Sequence, residues 1–113
     1  MEITKEGAVY IYYDNKQCIH VSKKIIAWDK SRFGFSMTSL VDINKDGYND
    51  VAIGAPYEDN HGAVYIYLGS QNGLNDEPSQ VIRIQKLNTL GYSLSGGIDM
   101  DNNGYPDLLV GAY

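Results

Sequence analysis

The sequence predicts an all-β protein built from repeated, multi-stranded units, and three observations carry that expectation. The segment GAVYIYY at 7–13 returns as GAVYIYL at 62–68, identical at six of seven positions. GFSMTSLVDINKDGYNDVAIGAP at 34–56 aligns without a gap to GYSLSGGIDMDNNGYPDLLVGAY at 91–113, with eight identities in 23. No ten-residue window carries a helical apolar stripe, whereas AVYIY, DVAIG and DLLVG are made of strand formers. The two repeats are offset by 55 and 57 residues, and the two-residue difference falls in the variable stretch between Tyr67 and Gly91. A period of that size means stacked supersecondary units.

Within one unit the expected order is strand, acidic loop, strand, short turn, strand, long variable loop, strand. The strands do not alternate apolar with polar: Val9 and Ile11 point one way, Tyr10 and Tyr12 the other. Strands apolar on both faces belong to a sheet covered on both sides. Propeller blades meet that condition, because each is sandwiched between its neighbours. SQVIRIQKL at 79–87 reads as one more strand, with Val81 and Arg83 on one side and Ile82 and Ile84 on the other.

Composition narrows the function classes. With nine basic and fourteen acidic side chains in 113 residues, the net charge is −5. No basic patch is available for nucleic acid or an anionic membrane, and Lys23-Lys24, the one adjacent basic pair, fits a solvated strand end. No apolar run approaches the ~20 residues that span a bilayer, and MEITKEGAVY lacks a signal-peptide layout. Cys18 is alone, so no disulfide forms within this stretch. Nothing catalytic is visible: His20 and His61 are far apart, and HExxH, GxSxG, CxxC and phosphate-binding Gly loops are missing.

DINKDGYND at 42–50 and DMDNNGYPD at 99–107 concentrate carboxylates twice at the same spacing. Three readings compete: a metal loop, ordinary hairpin turns, or a calcium helix-loop-helix. The last requires a bidentate Glu at position 12 and flanking helices. Position 12 is Ile53 in the first copy and Val110 in the second, both inside expected strands. A shorter loop closing at position 9 remains. Asp42, Asn44, Asp46 and Asp50 supply side-chain oxygens in the first copy, with the Tyr48 carbonyl as a fifth ligand. Asp99, Asp101, Asn103, Asp107 and the Tyr105 carbonyl do so in the second. Hard oxygens without thiolate or imidazole suit calcium rather than zinc. Asp, Asn and Gly are also good turn residues, but turns do not require three carboxylates each. Two like charges at 4 Å repel by about 1 kcal/mol in water and about 4 kcal/mol at an effective dielectric of 20. Gly47 and Gly104 stand where the chain turns sharply, at an expected positive φ.

Phe33-Gly34, the acidic loop and Gly54-Ala55-Pro56 together resemble one FG-GAP repeat, the unit of the seven-bladed propeller of integrin alpha subunits. The second copy is similar with departures: Leu90-Gly91 replaces Phe-Gly, and Gly111-Ala112-Tyr113 replaces Gly-Ala-Pro. The likeness weakens only over about 14–30 and 71–88. It implies the end of one blade at 1–33, a complete sixth blade at 34–90 and half of the seventh at 91–113, within a fragment of a longer protein. It also implies the alpha half of a heterodimeric adhesion receptor in the plasma membrane, with its propeller outside the cell. Such a receptor binds a beta subunit and matrix or cell-surface ligands. Two calcium ions would be structural, on the side of the propeller opposite the ligand. Phe35 and Tyr92, just after each Phe-Gly position, would line the rim that grips the beta subunit. Secreted enzymes such as a phospholipase that cleaves lipid-anchored proteins, and bacterial adhesin-like propellers, are the competing classes.

Overall fold

A computed structural model describes residues 7–14, 19–27 and 32–112. The expectations for Cys18, for Tyr113 and for the side chains of Tyr12, His20, Lys23 and Lys24 lie outside what it describes. In chain order the strands are β1 (Gly7–Asp14), β2 (Ile19–Ala27), β3 (Ser36–Val41), β4 (Asp50–Ala55), β5 (Ala63–Tyr67), β6 (Gly69–Ser70), β7 (Gly73–Leu74), β8 (Gln80–Ile82), β9 (Ser93–Ile98) and β10 (Asp107–Gly111). One turn of 3-10 helix, Glu58–Asn60, joins β4 to β5. The central sheet has the order β3-β4-β5-β8 and is antiparallel throughout, flanked by the hairpins β1-β2 and β9-β10. This is the all-β order expected of one blade. The small hairpin β6-β7 sits inside the variable loop.

The two-residue side-chain period of β4 and β5 divides the core. Ile53, Ala55 and Tyr67 face β1, where they join Val9 and Phe33. Ala52, Val64 and Ile66 face the other way and join Leu40 and Leu90, with Leu94, Leu108 and Val110 of the β9-β10 hairpin packed against them. The central strands are therefore covered on both faces, as their composition requires. The outer strands are not: Tyr10, Met37, Ile98 and Leu109 are large, apolar and exposed.

Each unit is closed at its start by the same backbone hydrogen bond. Gly34 N–H donates to the Gly54 carbonyl at 3.0 Å, and Gly91 N–H repeats this with the Gly111 carbonyl at 3.1 Å. Each contact is prepared by the same turn. Arg32 and Thr89 are left-handed, at φ 55° and 58°. Phe35 N–H then bonds the Arg32 carbonyl, and Tyr92 N–H the Thr89 carbonyl, both at 3.0 Å. Ser36 Oγ donates to the Gly91 carbonyl at 2.6 Å, crossing from one unit to the next. A Cβ on Gly54 would run into that carbonyl and into Ser36 Oγ. Phe33 and Leu90, buried at equivalent points, fill the two core halves.

The structure corrects one strand. β8 ends at Ile82 rather than running on to Leu87. Arg83 leaves the ladder to make two hydrogen bonds to Glu58 Oε2, at 3.0 Å from Nε and 2.7 Å from Nη2. Glu58 is 5 % exposed and also accepts from the Tyr65 hydroxyl. Losing a short strand end costs less than leaving that buried carboxylate without a cation. The next residues then turn, with Leu87 N–H bonded to the Ile84 carbonyl.

Two outcomes follow from this packing. Gly54→Ala should destabilise the complete propeller by about 3 kcal/mol or more, the upper end of overpacking, because its Cβ would meet a backbone carbonyl. Gly47→Ala, where a Cβ meets nothing within 4 Å, should cost only the left-handed backbone penalty of about 1–2 kcal/mol. Denaturant unfolding of both variants checks the difference, and equal losses would refute the steric account. The isolated 113-residue chain should associate rather than melt cooperatively as a monomer, because β1 and β10 each leave one edge unpaired among the described residues. Sedimentation in millimolar calcium checks this, and a monodisperse monomer with a sharp melt would contradict it.

Candidate functional site

The acidic segments are the loops joining β3 to β4 and β9 to β10. Each starts from a bulge. Ser39 pairs with Val51 and Val41 with Asp50, which leaves Leu40 as the extra residue. Gly96 pairs with Leu108 and Ile98 with Asp107, which leaves Gly97. A bulge re-aims the strand end, and here both ends enter the same loop conformation. Lys45 and Asn102 are left-handed at φ 62° and 58°, and Gly47 and Gly104 at 92° and 90°. The glycines were legible in sequence; Lys45 was not, since a lysine carries no signal for that backbone region.

Four hydrogen bonds recur between the loops. Asp42 Oδ1 accepts from Asp46 N–H at 3.0 Å, and Asp99 Oδ1 from Asn103 N–H at 3.1 Å. Asp42 Oδ2 accepts from Gly47 N–H at 2.7 Å, and Asp99 Oδ2 from Gly104 N–H at 2.8 Å. Asp46 Oδ1 and Asn103 Oδ1 accept from Tyr48 and Tyr105 N–H, both at 2.9 Å. Asp50 Oδ2 accepts from Ile43 N–H at 2.9 Å, and Asp107 Oδ2 from Met100 N–H at 2.7 Å. At two of the acids, Asp46 and Asp99, these bonds favour the ionised form. The Tyr48 N–H, with help from Asn44 and Asp42, holds Asp46 below the usual carboxylate range. At Asp99 desolvation pushes upward, but the Gly104 and Asn103 N–H groups outweigh it and the net shift is downward.

The loops differ in how their acids converge. Oxygens of Asp99, Asp101 and Asp107 lie within 4.8 Å of one another, the one acidic triplet so gathered among the described residues. In the first loop Asp46 Oδ2 instead takes a 3.2 Å hydrogen bond from the Asn44 amide. Asp50 is fully buried, and its Oδ1 accepts from Gly69 N–H of β6 at 2.8 Å. Asp50 therefore also fastens the loop to the small outer hairpin, a role its spacing did not announce. The donors in both loops are oxygens only, as a hard divalent cation requires.

At the opposite ends of β3 and β9 lies an aromatic rim. Phe35 is 44 % exposed and Tyr92 41 %, and their ring centroids are 5.0 Å apart at 38°. Sequence reasoning placed these two together but missed a third ring. Tyr57 meets Phe35 edge-on at 6.3 Å, and the Arg32 guanidinium lies 5.5 Å from the Tyr57 centroid. Repeat comparison could not flag Tyr57, whose equivalent would fall one residue after Tyr113.

The family comparison matches the same residues that build these features. The FG-GAP repeat matches residues 33–67 and 90–113. Integrin alpha-6 of Gallus gallus is 46 % identical over 110 residues, covering 94 % of this chain and 10 % of that protein. Integrin alpha-PS2 of Drosophila melanogaster is 50 % identical over 93 residues, covering 74 % and 7 %. Integrin alpha-3 of Mus musculus is 44 % identical over 114 residues, covering 94 % and 11 %. The chain thus spans about a tenth of the length of these relatives. Its sheets are a β-propeller fragment, and the chain belongs to the FG-GAP repeat family in a form similar to that of integrin alpha chains.

Proposed function

We propose that this chain is a calcium-holding propeller segment of an integrin alpha-type cell-adhesion receptor, with a binding rather than an enzymatic role. On this reading 34–90 is one blade and 91–113 begins the next. Each acidic loop holds one calcium ion: Asp42, Asn44, Asp46, Asp50 and the Tyr48 carbonyl in the first, Asp99, Asp101, Asn103, Asp107 and the Tyr105 carbonyl in the second. The observation that carries this is the recurrence of four hydrogen bonds 57 residues apart, which gives both loops one shape and leaves the carboxylate oxygens further lone pairs. Bound calcium supplies positive charge that offsets the mutual repulsion of three carboxylates per loop. The chain's own residues set the loop shape beforehand, so the ion rigidifies a hairpin already close to its final form.

The partner surface on this reading is the rim at the other end of the strands. Phe35 and Tyr92 are part-exposed rings in contact at equivalent points of successive repeats, suited to receiving an Arg or Lys from a beta subunit at about 0.5–2 kcal/mol per contact. The parent would be a plasma-membrane receptor with this segment outside the cell, acting on matrix or cell-surface proteins. No described helix is long and apolar enough to cross a membrane.

Calcium titration of the complete propeller should show two sites from this segment, with affinities of roughly 10⁻⁴ to 10⁻³ M or tighter. Asp46→Ala and Asp107→Ala should each remove one, and unchanged stoichiometry in both would defeat the assignment. Phe35→Ala and Tyr92→Ala should weaken beta-subunit co-precipitation and surface expression while calcium binding persists. Normal assembly of the double variant would reduce the rim to ordinary packing.

A further inference from the structure

The two acidic loops face each other across an open cleft. Val41, Asp42 and Lys45 line one side, and Gly97, Asp99 and Pro106 line the other. The strands that launch the loops are in direct contact. The place a Cβ would take on Gly97 lies 3.2 Å from Val41 Cγ2 and from the Ser39 carbonyl oxygen, and one on Gly96 would lie 2.8 Å from Leu40 Cδ2. Across the cleft, Lys45 Nζ sits 5.2 Å from the centroid of the Tyr105 ring. Lys45 belongs to the left-handed turn of the first loop, and Tyr105 N–H is bonded to Asn103 Oδ1 in the second.

We propose that Lys45 and Tyr105 form a latch that couples cation binding in the two loops, an inference that rests on the calcium reading above. Ordering the first loop fixes the backbone that carries Lys45. The ammonium over the ring then restrains Tyr105, whose carbonyl is a ligand of the second loop. The second loop consequently loses less freedom when it closes on its own ion. Coupling of this kind is reciprocal, so occupancy of the second loop favours the first by the same factor. A cation–π contact at an exposed site supports a factor of about two to five. Simple charge repulsion predicts the opposite sign: an ammonium beside two dication sites weakens both, so its removal would tighten them.

Hydrogen exchange of the complete propeller, followed by mass spectrometry at stepped calcium concentrations, reads each loop separately. Lys45→Met removes the charge and keeps the chain length; Tyr105→Leu removes the ring and keeps the backbone carbonyl. Each should raise the calcium midpoint for protection of 99–107 about two- to fivefold, with a matching shift for 42–50. The double variant should shift no further than either single one. Unchanged midpoints, additive shifts or tighter binding in Lys45→Met would overturn the latch. Absence of any calcium response in the unsubstituted loops is a different result, which removes the calcium reading and the latch with it.

Discussion

Gly54 lies against the carbonyl of Gly91, with the Ser36 hydroxyl bridging the two units. This close approach sets the spacing on which the other features depend. With the backbones held that near, β3 and β9 come within side-chain reach, and Leu40 fills the space beside Gly96 that a larger residue would occupy. The same spacing puts Phe35 beside Tyr92 at one end of the strands and Lys45 beside Tyr105 at the other. Small residues here do not loosen the fold. They admit a neighbouring backbone whose carbonyl then finds a donor.

Much of this was legible in the chain. The repeat of GAVYIY marked equivalent strands, and two-faced apolar composition required a covered sheet, which β4 and β5 occupy. The spacing of Asp42 through Asp50 and of Asp99 through Asp107 located both hairpins and excluded the helix-loop-helix alternative. Other features had no local signal. Nothing around Arg83 reveals that a buried glutamate 25 residues earlier will draw it out of a strand. The bulges at Leu40 and Gly97 involve residues of opposite size: the Leu40 side chain lies beside Gly96 of the next unit, and Gly97 lies beside Val41. Tyr57 joins the rim only through tertiary packing on Phe35.

The two loops show how one backbone design tolerates different occupants. Position 5 is Asp46 in one and Asn103 in the other, and either side chain accepts the same tyrosine N–H. Position 3 is Asn44 in one and Asp101 in the other, so each loop keeps three carboxylates while moving one of them. In the second loop the acids gather; in the first, an amide shares one carboxylate and a buried N–H shares another. Charge count is thus preserved while its distribution is not.

The double engagement of Asp50 bears on how defects in this region would present. Its carboxylate accepts from Ile43 N–H inside the loop and from Gly69 N–H outside it, in a fully buried position. Removing it strands a buried N–H, a loss of about 1–3 kcal/mol that no ion concentration restores. Asp42 and Asp46 are tied to the loop alone. On the calcium reading, a lesion at either disables the ion site while leaving the packing outside the loop in place, whereas one at Asp50 belongs with misfolding defects and would be answered by lower temperature or a chaperone. Allelic variants within a single nine-residue motif would therefore divide into two groups by cause.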